Sequence, residues 1–327
     1  MSSMITIIKQ NSSFVRPQYF FINGFHDIPH AKFYYIFLCF AYVVAVCGNS
    51  IVMFIIFTQR YLHIPKYIGI LNLAVADLGE SSALIPNLIK TFIFDSQYIT
   101  YEAFLANMFF VFSFIALQSM TLVGLTCDRF VAICLPLRYH TLLTNTSILI
   151  ASAWLIDFLL VGILFGLTLR FPVCKTVIVN IYCDNMSLLR LTCATETTVN
   201  NIYGLFITGL LHGAGAFSVV FSYSLILFTC FRGSDSDAKL KALHTCATHL
   251  LVFLIYEFSG IIVVLVYRIP NTPLLLQTFA GMIFVIFPPG LNPVIYGIKT
   301  KKIRVKLLQL FSMAKGSVRV VKVNSVT

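Results

Sequence analysis

An acid and a base stand side by side in an otherwise apolar stretch of the sequence, as Asp128 and Arg129. A charged side chain inside a bilayer is costly and is usually there for a function. The Asp128 carboxylate can hold the Arg129 guanidinium in one orientation, and its release would present a rigid set of hydrogen-bond donors to another protein. An ordinary arginine at a membrane interface is the alternative explanation for this pair alone.

A second set of polar residues, Asn49, Asp77 and Asn292, lies in three other apolar stretches. A carboxylate among amide oxygens forms a pocket of hard ligands, which suits a small cation such as sodium. The same side chains also suit a protonated Asp77 that is hydrogen-bonded to both asparagines. The residue types leave both interpretations open.

A hinge is indicated where Pro293 follows Asn292, with Tyr296 less than one helical turn further on. Proline removes one helical hydrogen bond, and we expect Asn292 to satisfy the freed backbone group. A proline kink in a membrane helix is often only structural, so Pro293 by itself does not establish a function.

Helices that cross a membrane must position these residues. The chain has 327 residues, of which 58% are hydrophobic and 11% charged, whereas a soluble domain has about 25% charged residues. A span needs about 20 mostly apolar residues, and unpaired backbone groups in lipid require each span to be helical. We therefore predict an all-α integral membrane protein with a seven-helix transmembrane bundle. The qualifying stretches are roughly 33–58, 67–93, 103–128, 148–169, 202–230, 245–267 and 273–298.

Lysine and arginine in the connections predict the orientation, because they are enriched on the cytoplasmic side. This places the N-terminal region 1–32 outside the cell, the seven-helix domain 33–298 in the plasma membrane and the region 299–327 in the cytoplasm. Basic and apolar residues alternate over 301–311, which predicts a short amphipathic eighth helix on the inner leaflet; a disordered basic tail is the alternative. The formal net charge of +11 therefore indicates contact with membrane lipids and not with nucleic acid.

The motifs together resemble those of rhodopsin-like (class A) G-protein-coupled receptors, each on the corresponding span. They are Gly48-Asn49, Asp77, Asp128-Arg129, Trp154, Tyr223 and Asn292-Pro293 with Tyr296. Within that class the chain closely resembles odorant (olfactory) receptors. The segments that carry this resemblance are 62–67, 128–139, 222–223, 241–250 and 288–297. The sequence of residues 99–110 looks most like that of fish members of the family.

This resemblance implies an odorant-activated receptor without enzymatic activity or cofactor. It implies that ligand binding shifts the sixth span outward and exposes a cytoplasmic site for a heterotrimeric G protein of the stimulatory, olfactory type, which raises cyclic AMP. The residues implied in coupling and activation are Asp128, Arg129, Tyr223, Lys239, Lys241, Asn292, Pro293 and Tyr296.

The resemblance also places a ligand pocket among the outer halves of the third, fifth, sixth and seventh spans. Its implied residues are Val111, Phe112, Ile115, Ala116, Ile207, Thr208, Leu211, Tyr256, Glu257 and Arg268. A mainly apolar wall suits a small neutral molecule held by shape. His212 and Arg268 can add polarity, although packing or interfacial anchoring explains such residues equally well.

Cysteines and sequons lead to further expectations for the outer side. The resemblance implies a disulfide between Cys174 and Cys193. Odorant receptors carry another cysteine at the outer end of the third span, where this chain has Phe104, so Cys183 lacks its usual partner. Cys183 is then either unpaired or bonded to another loop cysteine or a partner molecule. The sequons at Asn11 and Asn185 predict glycosylation. Gln118 stands where odorant receptors often have an acid, which weakens the case for sodium binding.

Two other classes of protein fit the sequence less well. A transporter would favour several ionisable residues along one path or paired broken helices in inverted repeats, and the sequence shows neither. No group of histidines and acids has metal-ligand spacing, which disfavours a membrane enzyme. A class A receptor for a small molecule other than an odorant is the alternative within the predicted fold.

Overall fold

Seven helices long and apolar enough to cross a membrane are present in the described part of the chain, which confirms the predicted fold class. The computed structural model describes residues 17–22, 31–93, 97–139, 145–178, 185–194, 196–232, 236–269, 272–310 and 312. Spans one to seven are the helices Ala31–Thr58, Pro65–Ile93, Tyr101–Cys134, Thr146–Leu169, Thr198–Arg232, Ser236–Arg268 and Leu274–Lys299.

A small three-stranded sheet covers one end of the bundle. Strand β1 (Tyr19–Ile22) is its middle strand; it pairs antiparallel with β2 (Tyr98–Thr100) and parallel with β3 (Val177–Ile178). These strands precede span one, precede span three and follow span four, respectively, so all three connections lie at the same end. We call this the disulfide end, because Cys174 and Cys193 are bonded there, and we call the opposite end, which contains Arg129, the arginine end.

Span three begins directly after β2, and its first turn is capped by Thr100. The Thr100 hydroxyl accepts a hydrogen bond from the backbone N–H of Ala103 at 3.2 Å, which satisfies one of the donors that the start of a helix leaves free. The fixed start places Tyr101 and Phe104 under the sheet.

An aromatic cluster joins the sheet to span three. Phe20 on β1 and Phe104 on span three are each 0% exposed, and their ring centroids lie 4.9 Å apart. The Tyr101 ring lies 5.8 Å from that of Phe20. Position 104, where the resemblance implies a cysteine, is therefore filled here by a ring that packs against the N-terminal strand.

Residues 301–310 form a helix directly after span seven, as predicted for the eighth helix. Ile303, Leu307 and Leu310, which share one helical face, pack against the apolar core at the arginine end. The basic residues Lys301, Lys302 and Arg304 are exposed. The helix is therefore amphipathic.

Candidate functional site

The charged pair of span three is buried at the arginine end. Asp128 and Arg129 form an ion pair between their side chains, and Arg129 is 8% exposed. The Tyr139 hydroxyl donates a hydrogen bond to Oδ1 of Asp128 at 2.8 Å. Burial and the adjacent Asp128 carboxylate raise the pKa of Tyr139, so the phenol stays a donor at neutral pH. Asp128 thus holds Arg129 with one oxygen and the chain after span three with the other.

Two tyrosines connect spans five and seven to span six near this pair. The Tyr223 hydroxyl donates to the backbone oxygen of Cys246 at 2.9 Å. The Tyr296 hydroxyl lies 3.2 Å from Nδ1 of His249, and His249 is buried. Since Cys246 and His249 are one helical turn apart on span six, a displacement of that turn would disturb both contacts. His249 was absent from the residues predicted for activation.

Asp77 and Asn292 contact each other directly in the middle of the bundle. Nδ2 of Asn292 donates to both Asp77 oxygens, at 3.2 and 3.0 Å. The space between these residues and Asn49 has no room for a water-sized sphere. The geometry matches the hydrogen-bonded interpretation of Asp77 for Asn292 only, because Asn49 donates to the backbone oxygens of Ala45 and Pro289. The sodium site predicted at Asp77, Asn49 and Asn292 stays a prediction.

Asn49, and not Asn292, satisfies the backbone group freed by Pro293. A helix would pair the N–H of residue 293 with the carbonyl of Pro289, and proline has no such N–H. Nδ2 of Asn49 instead donates to the Pro289 oxygen at 3.0 Å. Gly48 allows this approach, because a Cβ there would lie 2.8 Å from Cγ of Pro293. The expectation that Asn292 has this role was therefore wrong.

A buried acid on span two accompanies the glutamine on span three. Nε2 of Gln118 donates to Oε2 of Glu80 at 2.5 Å, and both side chains are buried. The other oxygen, Oε1 of Glu80, has no hydrogen-bond partner in the described part of the chain. Gln118 stands where an acid was expected from the resemblance, and Glu80 on span two places an acid next to that position.

A cavity of about 240 Å³ opens between spans three to seven in the half of the bundle next to the disulfide end. Its wall is mainly apolar. Arg268 and the asparagines of the loop and of span five lie towards the end of the bundle, and His212 and Tyr256 lie deeper. The predicted pocket residues that line it are Val111, Phe112, Ile115, Ala116, Ile207, Thr208, Leu211, Tyr256 and Arg268.

Glu257, also predicted to contact the ligand, does not line the cavity. Its Oε2 lies 2.8 Å from Nδ1 of His212, and His212 does line the cavity. Tyr256 stacks on the His212 ring with centroids 5.9 Å apart and donates its hydroxyl to the backbone oxygen of Ile115 at 2.8 Å. These contacts connect the cavity wall to spans three, five and six.

Comparisons with known proteins agree on the family. The olfactory receptor family model matches residues 38–314. Human olfactory receptor 51G2 is 36% identical over 280 residues, which are 84% of this chain and 88% of that protein. Mouse olfactory receptor 51E2 is 34% identical over 304 residues, 90% and 93% of the respective chains. The chain belongs to the olfactory receptor family.

The fold of this olfactory receptor is shared with squid rhodopsin. The crystal structure of squid rhodopsin superposes with a TM-score of 0.70 over 88% of this chain and 87% of that one, at 17% identity. Olfactory receptors are receptors and not enzymes, so the expectation of a non-enzymatic protein is confirmed by the family. The particular likeness of residues 99–110 to fish receptors stays a prediction.

The disulfide end of the receptor contains the expected Cys174–Cys193 bond, with a Cα–Cα distance of 5.4 Å. Cys183 and Asn11 lie outside the described residues. Lys239 and Lys241 belong to span six, but their side chains also lie outside the described part of the structure.

A closed triangle of hydrogen bonds involves Asn185, one of the predicted glycosylation sites. The Thr168 hydroxyl donates to Oδ1 of Asn185 at 2.7 Å, Nδ2 of Asn185 donates to Oδ1 of Asn200 at 3.0 Å, and Nδ2 of Asn200 donates to the Thr168 hydroxyl at 2.6 Å. Asn185 is 8% exposed. Its nitrogen is therefore engaged and buried in the folded receptor, which argues against a glycan at this position.

Proposed function

We propose that this olfactory receptor binds a small, mainly apolar odorant in the 240 Å³ cavity and activates a heterotrimeric G protein at the arginine end. The disulfide end would then face the cell exterior and the arginine end the cytoplasm of a plasma-membrane receptor. This orientation agrees with the excess of lysine and arginine at the arginine end and with an oxidising compartment for the disulfide.

Span six is the element that supports coupling between the two sites. Tyr256 contributes to the cavity wall, and Cys246 and His249 on the same helix contact the tyrosines of spans five and seven. At 1.5 Å per residue, Tyr256 and Cys246 are separated by about 15 Å along the helix. A rigid helix that moves at the cavity therefore also moves at the arginine end.

Activation is proposed as a shift between two arrangements of span six. The odorant binds more tightly to the arrangement in which span six has moved outward. It therefore increases the population of that arrangement. That arrangement exposes Arg129, Tyr223 and the basic residues Lys239 and Lys241 to the G protein, while Asn292, Pro293 and Tyr296 permit the adjustment of span seven. By family resemblance the partner is the stimulatory, olfactory G protein, whose activation raises cyclic AMP.

Agonist-dependent cyclic AMP in transfected cells tests this proposal. Cells that express the full chain are exposed to a panel of amino acids, bile acids and volatile apolar odorants, and an Arg129→Ala variant with matched surface expression serves as the control. We expect a response to part of the panel that Arg129→Ala abolishes. A response that survives in Arg129→Ala, or uptake of panel compounds without cyclic AMP, would contradict it. Antibody access to an N-terminal tag in intact cells tests the orientation.

A further inference from the structure

The pair formed by His212 and Glu257 sits in space that two glycines provide. A Cβ at Gly215 would lie 2.8 Å from Oε1 of Glu257, and a Cβ at Gly260 would lie 2.5 Å from Cε1 of His212. Gly215 belongs to span five and Gly260 to span six, so each helix leaves room for the side chain of the other. The pair is thus accommodated by residues on both helices, and substitution of either glycine would displace it.

The contact with Glu257 is the basis for assigning the tautomer of the histidine. We place the proton of this 2.8 Å contact on Nδ1 of His212, with the carboxylate as the acceptor. In the neutral ring Nε2 then has a lone pair and accepts. Gly260, which also lines the cavity, lies next to Cε1 and Nε2, so this edge of the ring is at the cavity wall.

Among the described residues, the hydrogen bond of the His212 ring is the contact of Nδ1 with Glu257, and the His212 side chain is 18% exposed. The surrounding wall is apolar, being formed by side chains such as Ile115, Leu211 and Phe284. A ligand whose O–H group reaches Nε2 gains a hydrogen bond in this apolar surrounding, whereas a ligand of the same shape without a donor does not.

We propose that His212, oriented by Glu257, is the recognition group deep in the cavity and selects odorants that carry a hydroxyl group. The proposal rests on the odorant-binding function proposed above and specifies its ligand class. His212 contacts the ligand, and Glu257 is a positioning residue that acts through the ring. The opposing explanation is that the pair only joins spans five and six.

Straight-chain primary alcohols and isomeric methyl ethers test this proposal, because each ether keeps the acceptor oxygen and lacks the donor. Cyclic AMP is measured in cells that express the full chain, normalised to surface expression. We expect half-maximal concentrations for the preferred alcohols to be about 10-fold lower than for the matched ethers, which corresponds to one buried hydrogen bond. His212→Phe keeps the ring stacked on Tyr256 and should bring this ratio to about 1.

Glu257 variants test whether Glu257 orients the His212 ring or only joins spans five and six. Glu257→Gln still offers an oxygen to Nδ1 and should keep the alcohol preference, whereas Glu257→Leu should reduce it. If His212→Phe is not expressed at the surface, His212→Leu provides the same comparison. An unchanged ratio in these His212 variants, or no response of the wild type to any alcohol, overturns the proposal. Basal cyclic AMP that Arg129→Ala abolishes would show that the receptor still couples in that case.

Discussion

The contact between Phe20 and Phe104 predicts a strong dependence of folding on the N-terminal strand. Both rings are fully buried, and they join β1, the middle strand of the sheet, to the first turn of span three. We expect Phe104→Ala to destabilise the receptor by about 3 to 5 kcal/mol, the usual effect of removing a packed phenylalanine. Loss of a native disulfide from a small secreted domain costs about 2 to 5 kcal/mol, so the aromatic contact is of the size needed to replace a covalent connection.

The partner ring allows a sharper test of the same contact. Phe20→Ala should lower the free energy of unfolding by a similar amount. The double variant should lower it by less than the sum of the two single effects. Residues in direct contact commonly show a coupling of about 1 to 2 kcal/mol, because either substitution alone already removes the shared contact. Tyr19→Ala on the same strand is the matched control, since Tyr19 is 53% exposed and should have little effect.

The free energy of unfolding is measured by denaturant titration of the purified receptor, with surface expression in cells as the second readout. Two results would refute the reasoning. One is that Phe104→Ala is as mild as Tyr19→Ala, which would mean that the sheet does not contribute to stability. The other is full additivity of Phe20→Ala and Phe104→Ala, which would mean that the two rings act independently.

Four further outcomes are expected. Asn49→Ala leaves the Pro289 carbonyl without its side-chain donor and should lower the unfolding free energy by about 1 to 3 kcal/mol; a neutral result would contradict the role given to Asn49. Tyr139→Phe removes one hydrogen bond from Asp128 and should raise basal cyclic AMP, with Tyr98→Phe as an exposed control. Ser187→Ala destroys the sequon at Asn185 and should leave gel mobility unchanged, whereas Asn11→Gln should remove the shift produced by glycosidase. Replacing sodium by potassium should not alter agonist potency, and a clear change would favour cation binding at Asp77.

The spans were predictable from the sequence because lipid imposes a local rule. Each helix must satisfy its own backbone and present apolar side chains over about 20 residues, and both conditions are visible in one stretch of sequence. Asp128 and Arg129 were identified for the same reason, since adjacent charges in an apolar helix stand out without knowledge of any other helix.

Contacts between helices were not predictable to the same degree. The hydrogen bond from Asn49 to Pro289 joins residues 240 positions apart, and the rotation of each helix about its axis decides whether His212 meets Glu257 or lipid. Hydrophobicity along spans five and six gives no such rotation, because both faces of these helices are apolar. The strands were missed since β2 and β3 contain three and two residues, too few for a recognisable alternation.

The hydrogen bonds that hold span six set the free energy that a ligand has to supply in the proposed activation. Span six is contacted by Tyr223, Tyr296 and His212, and its own Tyr256 donates to span three. A hydrogen bond contributes about 1 kcal/mol net, so these four contacts contribute about 4 kcal/mol together. That is less than the roughly 5.5 kcal/mol of differential affinity that reverses a 1:99 equilibrium. A ligand with micromolar affinity has a binding free energy of about −8 kcal/mol. It supplies the required difference of about 5.5 kcal/mol between the two arrangements of span six if roughly two thirds of its binding free energy is gained in one arrangement only. Two of these contacts, those of His212 and Tyr256, are at the cavity itself, where a bound ligand can favour one arrangement of span six directly.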